Sequence, residues 1–229
     1  MTELELHRSL AAVPLFAGLP EDQLELLARR SRVQSYAAGE LIVSEAERVR
    51  AFYLILAGQV KLYKSAPDGR EQTLYVFGPG EPFCLCSVFC EDAFPANAAA
   101  LAPSRILTLP ADELERLSQE APAILFNFLS VLSRRLKESL QLVESLALKE
   151  IPQRLAAFFL HAAESCQDCD GERFELQITH RELAKIIGAA PETLSRSLRR
   201  MTEDGLVQTE GKTIRLLDRQ ALHNLADGL

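Results

Sequence analysis

Length, composition and charge narrow the classes of protein to which this chain can belong. Its 229 residues can form one large domain or two ordinary ones, and 48% of them are hydrophobic, which is enough for a core in each. The net charge of −7 excludes a generally basic nucleic-acid-binding protein, so any contact with phosphates must come from a local patch.

The start of the chain and its cysteines indicate a cellular compartment. The segment MTELELHRSL lacks the basic and apolar regions of a signal peptide, and no run of about 18 apolar residues follows. We therefore expect a soluble, cytoplasmic protein without a membrane partner. Five cysteines are an odd number, which favours reduced thiols over a disulfide framework.

The first part of the chain predicts a small helix followed by a β domain. Leucines at helical spacing indicate a helix over residues 21–30. Between Val33 and Leu109 short β-rich runs are broken by turn residues about every 8–12 residues, which is typical of an antiparallel sandwich or barrel. The clearest strand pair is FYLILAGQVKLY, residues 52–63, with Ala57-Gly58 at its turn.

A long helix is predicted in the middle of the chain, after a short one that begins near Asp112. The stretch from Ala123 to Lys149 contains neither glycine nor proline. One of its sides carries an apolar stripe of Leu125, Leu129, Leu132, Leu136, Leu140, Val143 and Ala147. At 1.5 Å per residue the helix is roughly 40 Å long, more than one small β domain can cover. We therefore expect a parallel homodimer.

Two short helices separated by a glycine-containing turn follow in THRELAKIIGAAPETLSRSLRRM, residues 179–201. Thr179 and Glu182 form a capping box, so the first helix is expected to start near His180. Gly188 suits a left-handed stop, and Pro191 suits the first turn of the second helix. The pattern predicts a helix-turn-helix.

The polar side of the second helix carries chemistry suited to base edges in the major groove of double-stranded DNA. Glu192 can accept from cytosine, Arg196 can bond guanine in bidentate fashion, and Ser195 can bond base or phosphate. A hairpin over residues 206–216 follows as a wing and brings Lys212 near a phosphate. The candidate DNA contacts are Thr179, His180, Glu192, Thr193, Ser195, Arg196, Arg199, Arg200 and Lys212.

These motifs resemble the CRP/FNR family of bacterial transcription regulators. The resemblance is carried by ITHRELAKIIGAAPETLSRSLRRMTEDGLVQTEGKTIRL and by FYLILAGQVKLYKSAPDGREQTLYVFGPGEPF, and it covers nearly the whole chain. Within the family, E-x-x-S-R at Glu192, Ser195 and Arg196 is similar to the FNR and DNR-type reader. That implies an inverted repeat of a TTGAT-like half-site. It also implies RNA polymerase as a partner.

The family resemblance implies an α+β fold in three parts. An N-terminal antiparallel β-roll, a double-stranded β-helix like that of cyclic-nucleotide-binding domains, is expected over residues 1–117. A dimerisation helix over residues 118–150 joins it to a C-terminal winged helix-turn-helix over residues 151–229. The overall similarity is closest to the DNR and HcpR-like branch, whose members respond to nitric oxide and use haem.

The effector segment departs from the pattern of cyclic-nucleotide binders. In those binders a glutamate holds the ribose and an arginine–serine pair holds the phosphate. The corresponding positions of this chain are occupied by Leu85, Pro95 and Ala96. A buried phosphate without cationic or polar partners is very costly, so we expect an effector other than cyclic AMP. No cysteine precedes residue 84, so the iron–sulfur cluster of FNR is not expected either.

An apolar pocket with thiols remains, for which we predict the lining residues Phe83, Cys84, Leu85, Cys86, Phe126 and Leu129. The segment is similar to one in the carbon-monoxide-sensing haem regulators of the family, which implies Cys84 as a ligand of haem iron. Cys86 replaces their histidine, and strand alternation would point both thiols to one side. A thiol redox signal, another small ligand, and simple packing of buried cysteines stay open as alternatives.

Two other classes of function compete with a DNA-binding regulator. An enzyme built on Cys84, Cys86 and Cys90 is disfavoured, because no nucleophile–base pair or metal-ligand spacing accompanies these thiols. A regulatory subunit that binds a ligand but no longer contacts DNA is the other. The Cys166-x-x-Cys169 pair lacks the second pair that a zinc site needs, and we interpret it as incidental or as a redox-sensitive disulfide.

Overall fold

A computed structural model describes residues 3–45, 47–85, 88, 94–165 and 172–228. Its contacts divide the chain into two compact units, Met1–Gly69 with Leu74–Glu138 and Arg70–Thr73 with Ser139–Leu229. The predicted three-part division stays a prediction, since the long helix is shared between the two units. No helix among the described residues is long and apolar enough to cross a membrane.

The first unit is a β-roll preceded by helices. Its helices are α1 (Glu3–Ala11), a 3-10 turn (Pro14–Phe16) and α2 (Glu21–Arg30), and its strands are β1 (Arg32–Tyr36), β2 (Leu41–Val43), β3 (Ala51–Ala57), β4 (Val60–Ser65), β5 (Glu71–Phe77), β6 (Pro82–Phe83), β7 (Asn97–Ala100) and β8 (Ser104–Pro110). They form two sheets in the orders β1-β8-β3-β6 and β2-β7-β4-β5. The expected antiparallel β-roll is confirmed; α1 was not anticipated.

The predicted strand pair over residues 52–63 is wrong in its pairing, although both strands exist. β3 pairs with β8 and β6, whereas β4 pairs with β7 in the other sheet. Gly58 lies at the corner between the two strands: its φ is 88°, and a Cβ there would lie 2.5 Å from the carbonyl oxygen of Pro103. Only glycine fits such a corner, at which the chain crosses from one sheet to the other.

Strand β3 is buried on both faces because it separates two apolar clusters. Phe52 and Leu54 belong to a cluster with the amino-terminal helices, whereas Tyr53 and Ile55 belong to a cluster with strands of both sheets. Successive side chains of a strand point to opposite faces, so each residue supplies one cluster or the other. This explains a continuous apolar run in an antiparallel sheet.

The remaining helices run from the β-roll into the second unit. They are α3 (Ala111–Glu120), α4 (Ala123–Leu148), α5 (Ile151–Ser165), α6 (His180–Ile187), α7 (Pro191–Glu203) and α8 (Arg219–Asp227), with strands β9 (Arg173–Glu175), β10 (Val207–Glu210) and β11 (Thr213–Leu216). The long helix α4 matches its predicted bounds to within a residue. Its amino-terminal end is anchored in the first unit, where Ile124 and Phe128 are buried and Asn127 Nδ2 donates to Leu15 O at 3.0 Å.

Candidate nucleic-acid interface and effector segment

The helix-turn-helix is built by local interactions that the sequence specified. Thr179 Oγ1 accepts the backbone N–H of Glu182 at 3.1 Å and caps α6. Gly188 ends that helix in the left-handed conformation, with φ 71°. Pro191 then begins α7 in its first turn, where its missing N–H removes no bond. The predicted motif is confirmed in both helices and in the turn.

The recognition helix α7 has one buried side and one exposed side. Leu194, Leu198 and Met201 are 1%, 7% and 2% exposed and pack into the second unit. The exposed side carries Glu192, Ser195, Arg196, Arg199 and Arg200. Exposed residues in the first turns of such a helix are the ones that reach base edges in the major groove. The geometry therefore leaves the predicted reading residues accessible.

Among the described residues, the arginines of α7 make only long contacts. Arg196 Nη2 lies 3.4 Å from Thr193 Oγ1, and Arg200 Nε lies 3.7 Å from Asp204 Oδ2 on an exposed surface. Exposed pairs of this kind contribute at most about 1 kcal/mol. Both guanidinium groups can exchange these contacts for a phosphate or a base at little cost.

The wing is a three-stranded sheet, in which β11 pairs with both β10 and β9. Gly211, with φ 61°, and Lys212 form the turn of the β10–β11 hairpin, so Lys212 lies in the turn and not in the strand. Sequence reasoning missed β9. Alternation of the buried Phe174, Leu176 and Ile178 with exposed residues was the signal that could have found it.

The start of α5 also belongs to the neighbourhood of the recognition helix. An open cavity of about 530 Å³ is lined by Thr193 and Arg196 of α7 and by Pro152 and Gln153 of α5. Gln153 Oε1 accepts the backbone N–H of Glu150 at 2.6 Å, which closes the first turn of α5. Sequence reasoning missed these residues. Gln153, three residues after Glu150, carries half of a capping box and was the available signal.

Thr179 and His180, the two remaining predicted DNA contacts, are exposed at the start of α6. The hydroxyl oxygen of Thr179 accepts the cap bond, which leaves its O–H available to donate to a phosphate. Both residues lie at a helix N-terminus, where the helix dipole favours phosphate.

The effector segment follows strand β6, which ends at Phe83. Cys84 has a φ of 57°, the only positive φ that the described residues show outside glycine. Cys84 lies after the strand in a left-handed conformation, so strand alternation does not orient its thiol, and the orientation of Cys86 stays a prediction. Cys86, Ser87, Cys90, Cys166 and Cys169 lie outside the described residues.

Of the residues predicted to line one pocket, the five that the structure describes are not brought together within this chain. Phe83 and Cys84 are buried in the cluster of the strands, whereas Leu85 is buried in the other cluster. Phe126 and Leu129 are 73% and 58% exposed on α4. They lie on the side of the helix opposite to its buried residues, so the predicted lining by these two residues is wrong for a single chain. Phe128, 3% exposed, shares the cluster of Leu85 instead.

The positions that would hold a cyclic nucleotide in related domains carry no charged groups here. Leu85 is 6% exposed and Ala96 is 1% exposed, and they belong to different apolar clusters. Pro95 is exposed. Neither carboxylate nor guanidinium is supplied at these three positions.

Arg135 of α4 forms a charged and aromatic cluster that sequence reasoning missed. Its guanidinium donates to Glu81 Oε1 at 2.9 Å and Glu138 Oε2 at 3.0 Å, and lies 4.1 Å from the Tyr75 ring centre. Burial and the charge of Glu81 raise the pKa of Tyr75 to about 12, partly offset by Arg135. Glu81 Oε2 also accepts the backbone N–H of Gly78, which ties the β5–β6 turn to α4.

The C-terminal unit and the β-roll each match a known domain model. Residues 33–121 match the cyclic nucleotide-binding domain, and residues 153–225 match the Crp-like helix-turn-helix domain. A β-roll followed by a winged helix-turn-helix defines the class of transcription regulators with an effector domain.

Relatives cover almost the whole chain. The Cyclic AMP receptor protein of Thermus thermophilus is 30% identical over 94% of this chain and 98% of its own length. The CRP-like cAMP-activated global transcriptional regulator of Mycobacterium tuberculosis is 27% identical over 93% of this chain and 96% of its own length. The structure of FixK2 from Bradyrhizobium japonicum superimposes with a TM-score of 0.75 at 24% identity, over 85% of this chain and 96% of that one.

The chain therefore belongs to the CRP/FNR family of DNA-binding transcription regulators. Regulators of this family bind DNA through the helix-turn-helix and typically dimerise. The resemblance inferred from the motifs is confirmed at this level; the DNR and HcpR-like branch stays a prediction.

Proposed function

We propose that this protein is a homodimeric regulator that binds an inverted repeat of a TTGAT-like half-site, with Glu192, Ser195 and Arg196 reading the bases. The observation that carries the proposal is the exposure of these three side chains on α7 while the apolar side of the same helix is buried. Arg199, Arg200 and Lys212 would then hold phosphates and position the reader. As a transcription regulator, the dimer would act through RNA polymerase.

The dimer is proposed on the evidence of α4. Leu136, Leu140 and Val143 are 63%, 62% and 64% exposed, at the spacing of one helix face. Large side chains in such a row favour burial against a second helix by about 1.5–3 kcal/mol each when fully covered. A second copy presents the same face, and two-fold symmetry would place two recognition helices one DNA turn apart.

We propose an effector other than cyclic AMP, although two relatives are named for that nucleotide. The cyclic phosphate would meet Leu85, Pro95 and Ala96, none of which can hold a negative charge. An electroneutral or apolar ligand fits these positions better, because burying an unpaired anion costs several kcal/mol.

Cys84 is the proposed point at which the effector signal enters. Its thiol is 5% exposed, close to Tyr53 and Phe83, whose ring centres are 5.1 Å apart. A change at this sulfur, either oxidation or attachment of a ligand, would disturb a cluster shared by both sheets. Oxidation of the thiol to a sulfenic acid adds a single oxygen atom, far less than a bound macrocycle, and is therefore the leading proposal for the effector signal.

Haem is the second candidate, because a cysteine can hold haem iron as a thiolate ligand. The residues around Cys84 do not fit a haem as they are packed, since the macrocycle would have to displace the rings of Tyr53 or Phe83. A haem-based response to nitric oxide or carbon monoxide would therefore require this cluster to open.

The DNA-binding proposal is tested by fluorescence anisotropy on a duplex with an inverted TTGAT repeat and on a scrambled duplex. We expect Arg196→Ala to lose about 2–6 kcal/mol of specific binding, since two subunits each lose a bidentate contact worth about 1–3 kcal/mol. Arg219→Ala removes the same charge from a surface ion pair with Glu164 and is the matched control. Selective binding by Arg196→Ala at wild-type strength would contradict the reader assignment.

The effector proposal is tested by repeating the titration after mild oxidation and after incubation with haem. For a thiol signal we expect oxidation to change DNA affinity in the wild type and not in Cys84→Ala. A variant lacking Cys86, Cys90, Cys166 and Cys169 but retaining Cys84 should respond like the wild type. A Soret band that shifts with nitric oxide or carbon monoxide, and is lost in Cys84→Ala, would favour haem instead.

A further inference from the structure

One arginine of the second unit connects the ends of three helices. Arg154 lies in the first turn of α5, next to Pro152 and Gln153, which line the cavity beside α7. Its Nη2 donates to Leu146 O at 2.8 Å and its Nε donates to Lys149 O at 2.9 Å, both at the C-terminal end of α4. Its Nη1 donates to Ile187 O at 3.0 Å, at the C-terminal end of α6.

These three acceptors are carbonyl groups that helix ends leave without intrahelical partners. The last four C=O groups of a helix need other donors, and a cation there is also favoured by the helix dipole. The planar guanidinium presents five N–H donors in a fixed fork, so one side chain can serve acceptors on two helices in one geometry. Lysine, with a single ammonium group on a flexible stem, cannot reproduce that fork.

Glycine at position 188 brings the same two helix ends together independently. A Cβ at Gly188 would lie 3.0 Å from Leu146 Cδ2 and 3.3 Å from Arg154 Nη1. A Cβ there would press on side chains of both α4 and α5, so the end of α6 lies close against both helices. Packing and hydrogen bonding fix the same junction.

The junction is connected rigidly to the recognition helix. Ala189 N donates to Ala184 O at 2.9 Å, and the buried Leu183 of α6 and Leu194 of α7 hold the two helices of the motif together. Hence the position of the end of α4 determines the position of the end of α6, which in turn determines the orientation of α7. None of the contacts named above involves an exposed side chain of α7.

We propose that Arg154 is the positioning residue that fixes the helix-turn-helix to the C-terminal end of α4 and so sets the half-site spacing that the dimer accepts. The inference rests on the proposed dimer and its inverted repeat. If α4 pairs two subunits, the angle between α4 and α7 determines how far apart the two recognition helices lie. A loosened junction would let each motif adjust to wrongly spaced half-sites.

The test measures spacing discrimination, the ratio of affinities for the correctly spaced repeat and for a repeat with altered spacing. A loss of folding or of base contacts would lower both affinities and would not change this ratio in the same way. Wild type and Arg154→Gln are titrated by fluorescence anisotropy against a single TTGAT half-site, the inverted repeat with half-sites about one helical turn apart, and the same repeat with one base pair inserted. The wild type is expected to prefer the correctly spaced repeat. In Arg154→Gln we expect that preference to fall on the order of tenfold, with half-site affinity unchanged.

Further variants separate positioning from a purely structural role. Arg154→Lys keeps the charge but not the fork, so an intermediate loss of discrimination is expected. Gly188→Ala loosens the same junction from α6 and should lower discrimination even if Arg154→Gln does not fold. Arg219→Ala is the charge control and should discriminate like the wild type.

Two results would overturn the inference. Unchanged discrimination in both Arg154→Gln and Gly188→Ala would show that the junction does not set the spacing. A parallel fall in half-site and repeat affinity would show that Arg154 only supports folding. Failure of the wild type to prefer the repeat over a scrambled duplex is a different result, which would overturn the proposed operator itself.

Discussion

The long helix α4 and the recognition helix α7 both expose one full side, but the two exposed sides differ in chemistry. On α7 the exposed side chains are charged or polar and the leucines are buried. On α4 the exposed side chains include Leu136, Leu140 and Val143, each more than 60% exposed. Charged residues are stable in water, whereas a row of exposed leucines is not.

That difference changes what exposure proves about each helix. The exposed side of α7 is compatible with solvent, so its exposure alone does not distinguish a DNA-reading surface from a solvated one. Residue type, spacing and family membership make that distinction. The exposed side of α4 costs free energy in a single chain, so its exposure by itself indicates a covering partner. Variants that alter one side of one helix test whether the two exposed sides differ in this way.

The largest effect is expected on the apolar side of α4. Leu136→Asp with Leu140→Asp should weaken dimerisation by more than about 5 kcal/mol, because four leucines lose burial and four charges would enter the interface. Sedimentation measures the oligomeric state and anisotropy measures affinity for the inverted repeat. Lys137→Asp, which makes the same charge change at an exposed polar position, should stay dimeric. A dimer formed by the double variant would contradict the assignment of this side of α4 to the dimer interface.

The buried side of α7 comes next. Leu194→Ala removes a side chain that is 1% exposed and should lower the free energy of unfolding by about 2–5 kcal/mol, from lost burial and a residual cavity. Urea denaturation followed by circular dichroism gives the value. Arg199→Ala, on the exposed side of the same helix, should unfold like the wild type yet bind DNA with a smaller salt dependence. Equal stability loss in both variants would contradict the two-sided description.

A smaller effect is expected at the cap of α6. Thr179→Ala leaves the backbone N–H of Glu182 without its side-chain acceptor and should lower the free energy of unfolding by about 1 kcal/mol. Thr179→Ser retains the hydroxyl and should recover most of that loss. Should both variants lose the same amount, the methyl group and not the cap bond would be responsible.

The smallest effect concerns the buried side of α4 and appears only at alkaline pH. Tyr75, stacked on Arg135, has a pKa of about 12 in the folded protein, whereas an unfolded tyrosine ionises near pH 10. Above pH 10 the unfolded chain loses a proton that the folded chain keeps, so stability falls as pH rises towards 12. After allowance for solvent screening, this amounts to about 1 kcal/mol at most.

Tyr75→Phe removes this ionisation and should lose less stability than the wild type between pH 10 and pH 12. Denaturant midpoints at pH 8.5 and pH 11 measure the difference. Burial also raises the pKa of Tyr53, so a remaining pH dependence is expected. An identical alkaline slope in Tyr75→Phe would contradict the placement of this ring beside α4.

The C-terminal unit was predicted well because its signals are local. A cap three residues from its partner, a left-handed glycine and a proline in the first turn define helices within a few residues of sequence. The period of the leucines likewise predicted α4 and most of its exposed face, although Leu132 of the predicted stripe packs against the core of the first unit. Such features depend on backbone sterics and helix geometry, which the amino-acid sequence determines directly.

The β-roll was predicted only in outline, because strand partners are chosen over long distances. Gly58 sends β4 into a different sheet from β3, and the left-handed Cys84 divides its neighbours Phe83 and Leu85 between two clusters. Phe128 rather than Phe126 therefore reaches the apolar core.

The sequence alone thus determined the helix-turn-helix, the exposed polar side of α7 and most of the apolar stripe of α4. The tertiary structure decided which side chains meet: the cluster of Arg135, the surroundings of Cys84 and the three helix ends held by Arg154. Those contacts join residues far apart in the sequence, such as Arg135 with Glu81 and Arg154 with Ile187. They form because whole helices and strands pack together, which no local periodicity specifies.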